Sequence, residues 1–160
     1  QYPDDCLENI HYLEQALRSP FANPLNALAK IDDEADWERY RNLFYLHVNL
    51  KLVEQWRLLA SKYDKRVAYF YNAPFKEQNL ESLDQAEELY NQALTYWEEA
   101  LRYYEILSSI PYRNLPEVQN WEDEYERIQS GELDYAEFIG IDLSRLKRVR
   151  ERFLSMDTVY

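Results

Sequence analysis

"DDEADWERYRNLFYLHVNLKLVEQWRLLASKYDKRVAYFYN", residues 32–72, contains neither glycine nor proline. Trp37, Tyr40, Phe44, Val48, Leu52, Trp56, Leu59, Tyr63, Val67 and Phe70 advance by three or four and draw one continuous apolar stripe. Leu43, Leu46, Leu50, Val53 and Ala60 draw a second. That spacing is helical, and a helix apolar on two sides is surrounded by neighbours rather than laid on a surface. From Asp36 to Tyr71 it predicts a rod roughly 50 Å long, the spine of the fold. The carboxylates of "DDEAD" suit the positive end of its dipole. Polar residues crowd between Lys62 and Arg66, where a bend is the expected weak point.

Outward from the spine, "NAPFKEQN" (72–79) reads as a loop punctuated by Pro74. A second long helix is expected from about Leu80 to Ser109, ending before Pro111. Two long helices joined by so short a connection lie antiparallel. The second carries "YNQALTYWEEALRYYEIL" (90–107), with four tyrosines and a tryptophan. Leu89, Ala93, Trp97, Ala100, Tyr104 and Leu107 alternate small residues with large rings. The alanines admit a close neighbour while the rings fill its flanks. Tyr96 and Tyr103, seven apart, stand on a different side. Either their rings lie at the core margin with hydroxyls in water, or they form a docking face. The fifteen tyrosines and four tryptophans of the whole chain favour the docking face for some of them. Ala86-x3-Tyr90-x2-Ala93 resembles the second helix of a tetratricopeptide repeat, and Ala93-x3-Trp97-x2-Ala100 repeats its spacing. The likeness spans about 15 residues without the family's period of about 34. It implies a helical protein-interaction module and assigns no binding residue.

The remaining elements are shorter. A first helix is expected from Asp4 or Asp5 to Arg18, with Leu7, Ile10, Leu13, Ala16 and Leu17 on its apolar side. Asn23 and Pro24 mark the start of a short helix through Ile31. Asn114 and Pro116 open another, which Gly131 stops. "ELDYAEFIG" (132–140) suggests one or two turns, and a last helix is expected after an Asp142 cap, with Leu143, Leu146, Val149 and Phe153 on one face. Gly131 and Gly140 are the only glycines, too few for the turns of an all-β protein. The expected architecture is all-α, a single domain over residues 1–160. It is an elongated bundle of five or six helices on a long antiparallel hairpin.

The formal net charge of −12 opposes nucleic acid and anionic lipid. From Trp37 to Asn72 there are seven Lys or Arg and three acids; from Ala73 to Gly131, thirteen acids and four bases. Such segments complement each other inside a bundle or leave a charged face for a partner. "RLKRVRERF" (145–153) places Arg145, Arg148 and Arg152 along one side, as a solvated face or a strip for an acidic partner. Cys6 stands alone, which excludes an intrachain disulfide and a cysteine-based zinc site. No apolar run approaches the roughly 18 residues of a membrane span. A first residue Gln1 rather than Met suggests processing or trimming, and a cleaved secretory signal is one explanation. Processing of that kind would make the compartment periplasmic or secreted; otherwise the cytoplasm is expected.

The chemistry-bearing residues are few. Glu8-x-x-His11 has di-iron spacing but no second copy, because Phe44 stands three before His47, so no metal or cofactor is expected. No nucleophile elbow, phosphate loop or calcium loop is present, and "WEDEYE" (121–126) singles out no catalytic pair. The chain is therefore expected to be a non-enzymatic structural or adaptor protein, plausible within an exported or cell-envelope assembly. It would dock other proteins, or itself, through Tyr96, Tyr103, Arg145, Arg148 and Arg152. The alternative is a ligand-binding bundle whose cavity is walled by Trp37, Trp56, Trp97 and Tyr104. A carboxylate-bridged metal enzyme ranks third.

Overall fold

The computed structural model describes residues 3–19, 21, 33–69 and 76–155; for residues 3 and 65–69 only the helical backbone is described. Among the described residues there are five α-helices and no strand: α1 Pro3–Arg18, α2 Glu34–Tyr69, α3 Lys76–Ser109, α4 Gln119–Gln129 and α5 Tyr135–Leu154. A 3-10 turn, Pro116–Val118, leads into α4. The short helix expected over 23–31 lies outside the described residues.

Helix α2 starts where Asp33 accepts the Ala35 and Asp36 amides through Oδ1, at 2.8 and 3.2 Å. Those two donors hold the Asp33 carboxyl below its usual pKa. The rod then runs unbroken for 36 residues, about 54 Å, through the polar stretch near Lys62. Tyr40, Leu43, Leu46, Leu50, Val53 and Ala60 are buried along it. Helix α3 answers with Leu83, Ala86, Tyr90, Ala93, Trp97 and Ala100, buried at alternating steps of three and four, and with Leu107 two turns further on. That spacing is the seam of a paired coil. Ser82 donates to the Tyr63 carbonyl at 2.9 Å, and Arg39 to the Leu107 carbonyl at 3.5 Å. The pairing is therefore antiparallel, and α2 with α3 forms the main contact of the molecule.

Two boundaries differ from expectation. Helix α3 begins at Lys76 rather than near Leu80, because "KEQN" joins the first turns, with Asn79 buried. Helix α5 does not wait for Asp142. Asp134 caps it, accepting the Ala136 and Glu137 amides at 3.1 and 3.3 Å, and Asp142 lies buried inside the helix. The end of α4 follows expectation: Gly131 takes φ +81° and donates to the Ile128 carbonyl at 3.1 Å.

The shorter helices cover the hairpin. Helix α1 rests on it through Cys6 and Ile10, with Asn9 donating to Gln55 at 3.2 Å. Burial raises the Cys6 thiol pKa. Helix α4 crosses the end where α2 starts and α3 stops. There buried Arg39 forks onto Glu122 and also donates to the Pro111 carbonyl at 3.4 Å. Helix α5 packs antiparallel on α3: Tyr135 meets Trp97 and Arg150 meets Asp84. It runs parallel to α2, with Tyr135 by Glu54, Asp142 by Arg57 and Arg145 by Asp64. No described helix is long and apolar enough to cross a membrane.

Candidate functional site

Helix α5 leans on α3 and touches α2 only lightly, so a cleft of ≈950 Å³ opens between α2 and α5. Its walls are Glu54 to Asp64 on α2 and Tyr135 to Arg152 on α5, with Leu83 and Tyr90 of α3 as floor. Leu58, Leu83, Leu146 and Val149 supply an apolar strip. Arg57, Arg145 and Arg152 supply cationic groups beside it.

Alongside the strip runs a closed ionic ladder. Arg57 Nε donates to Asp142 Oδ2 at 2.8 Å, and Arg145 donates to Asp142 Oδ1 at 3.2 Å and to Asp64. The Tyr90 hydroxyl donates to Asp64 Oδ2 at 2.8 Å. Burial, the Asp64 hydrogen bond and the nearby carboxylates push the Tyr90 pKa up. Burial opposes the charge on Arg145, but the Asp64 carboxylate outweighs it and raises the guanidinium's pKa. At the upper end Tyr135 donates to Glu54 at 3.4 Å, and burial first, then Glu54, pushes its pKa up to about 12.

The ladder is asymmetric toward solvent. The Asp142 and Asp64 side chains are 9% and 4% exposed, their partners Arg57 and Arg145 38% and 43%. An entering ligand meets guanidinium first, with the counter-charge recessed behind it.

The residues singled out from sequence are dispersed. Arg145 and Arg152 line the cleft; Arg148 is exposed outside it. Tyr96 is half-buried under α1, stacked on Trp56 with centroids 6.5 Å apart, and donates to Glu14 at 2.6 Å. Burial and that carboxylate push its pKa up to about 12. Tyr103 stacks on Tyr45 at 5.4 Å and accepts a hydrogen bond from Arg102 at 3.1 Å. Trp37 packs on Phe21, Trp56 on Tyr96, Trp97 on Tyr135 and Tyr104 on Tyr125, and none of the four rings lines the cleft between α2 and α5. Glu122 and Glu124 of the acidic run serve α4 packing, Glu124 lying 2.7 Å from His47 Nδ1. Among the described residues no three His, Cys, Asp or Glu gather to hold a metal ion.

Arg57, Asp64, Tyr90, Tyr135 and Asp142 were not singled out from sequence. One signal was present: Asp142 falls on the buried series Tyr135, Ile139, Asp142, Leu146, Phe153. A carboxylate in a core register needs a base opposite.

Residues 35–156 match a family model described as "Domain of unknown function (DUF8513)". The chain belongs to that family. The matched stretch holds the hairpin, α4, α5 and every cleft-lining residue, while α1 precedes it. No curated protein and no solved structure matches the chain.

Proposed function

We propose that the chain is a non-enzymatic adaptor whose cleft between α2 and α5 receives an acidic amphipathic helix of a partner protein. The observation that carries this is the pairing, in one open cleft, of an apolar strip with outward guanidiniums over recessed carboxylates. Size supports a helical occupant. The α5 wall runs from Tyr135; the facing α2 wall spans ten residue steps, about 15 Å, or three helical turns. A helix of that length is a cylinder of roughly 10 by 15 Å, about 1,200 Å³, so a cleft of ≈950 Å³ takes most of it. Helix-in-groove docking uses this combination of apolar anchors and charged margins. Arginine suits the margins because its planar fork matches a carboxylate. The ladder satisfies itself and its recessed carboxylates hold the guanidiniums in place, which lowers the ordering cost of binding.

The test is calorimetric titration of the full chain with a helical peptide of about twelve residues, leucine on one side and glutamate on the flanks. Saturable binding that weakens at least tenfold in Val149→Glu and disappears when the glutamates become lysines is expected. Absence of binding overturns the proposal. Binding of dodecanoate in the cleft without binding of the peptide overturns it in favour of a small-molecule carrier.

A further inference from the structure

We propose that the helix entering the cleft is α1 of a second copy of this chain, which rests on the cleft being a protein-docking site. Helix α1 turns Cys6 and Ile10 inward and leaves Asp4, Leu7, Glu8, His11, Tyr12 and Gln15 exposed. Leu7 and Tyr12 are 50% and 60% exposed, two of only five large hydrophobic residues left so open among the described residues. On a wheel of 3.6 residues per turn they flank the exposed arc, and Asp4 and Glu8 lie between them. This face therefore carries apolar anchors and carboxylates together, the chemistry that the cleft offers in complementary form.

Length agrees as well as chemistry. Asp4 to Gln15 covers eleven residue steps, about 17 Å, against about 15 Å for the α2 wall. The charges agree in sign: Asp4 and Glu8 make no ion pair among the described residues, and the cleft presents Arg57 and Arg145 outward. The two surfaces cannot meet within one chain. Helix α1 is fixed to α2 by its opposite face, and Gln55, which holds Asn9, itself lines the cleft. Donor face and cleft thus sit on neighbouring sides of the same rod. Two copies related by a two-fold axis can exchange α1 faces reciprocally; without closure the same contact extends the assembly.

Light scattering of the full chain over a concentration series, from low micromolar to hundreds of micromolar, tests this. The wild-type mass is expected to rise above the 19.5 kDa of one chain. Two kinds of variant each weaken the association tenfold or more: Glu8→Lys with Tyr12→Ala on α1, and Val149→Glu in the cleft. Ser61→Glu on the opposite wall serves as a second cleft variant should Val149→Glu unfold. An equimolar mixture of an α1 variant with a cleft variant restores a 1:1 pair, because one donor and one cleft remain intact. A wild type that stays monomeric throughout, or association indifferent to both variants, overturns the inference. A monomer that still binds the acidic peptide refutes the second copy alone; a monomer that ignores the peptide refutes the docking cleft with it.

Discussion

At the scale of single residues, the buried charges decide most. Arg39 and Glu122 are buried together, and Arg39 ties both to the carbonyls that end α3. Removing one partner of such a pair leaves an uncompensated charge, a loss of about 3–5 kcal/mol. Glu122→Ala is expected near the lower end, because Arg39 keeps its carbonyl contacts; urea unfolding measures it. The double variant Arg39→Met with Glu122→Leu should be more stable than Glu122→Ala, since no charge is then stranded. Tyrosines give a second test. Tyr96 and Tyr135 have pKa values pushed up to about 12, and that of Tyr90 is likewise raised above the ordinary tyrosine value of about 10. The unfolded chain therefore loses these protons first. The stability that these three tyrosines contribute is constant below pH about 10 and falls from about 10 upward as the unfolded tyrosines ionise. Parallel tyrosinate absorbance and circular dichroism should show ionisation of these three coinciding with unfolding. Their titration within an intact helical fold near pH 10 would contradict the assignment.

At the scale of elements, α2 and α3 are legible in the sequence because their periodicity is long and uninterrupted by glycine or proline. The first turns of α3 were not, since Pro74 suggests a stop and "KEQN" has no apolar rhythm; burial of Asn79 supplies what the pattern lacks. The start of α5 was hidden for a related reason. Gly140 weakens a helix and Asp142 resembles a cap, but Arg57 from across the cleft and Arg145 one turn along α5 pair with that carboxylate and keep it inside the helix. Tertiary contact overrode local preference. Two substitutions measure this. Gly140→Ala meets open space and should stabilise the protein by about 0.5–1 kcal/mol in thermal or urea unfolding. Asp134→Ala removes the true cap and should cost about 1 kcal/mol. Destabilisation by Gly140→Ala would mean that α5 is interrupted there.

At the scale of the molecule, the surplus of rings is consumed largely inside one chain. Helix α1 covers Tyr96, α4 covers Tyr104, and α5 covers Trp97. Among the described residues the most exposed rings are Tyr12 and Tyr112. The charge asymmetry is likewise met partly between helices, by Arg39 with Glu122, Arg57 with Asp142 and Arg150 with Asp84 and Glu87. What the bundle leaves open is the cleft, which no single segment of sequence reveals because its walls come from residues some 80 positions apart. The most direct measurement is a backbone amide NMR titration with the acidic helical peptide. Chemical-shift changes are predicted along 54–64 and 142–152. Changes centred instead on Tyr103 and Tyr112, with both cleft walls silent, would contradict a docking role for the cleft.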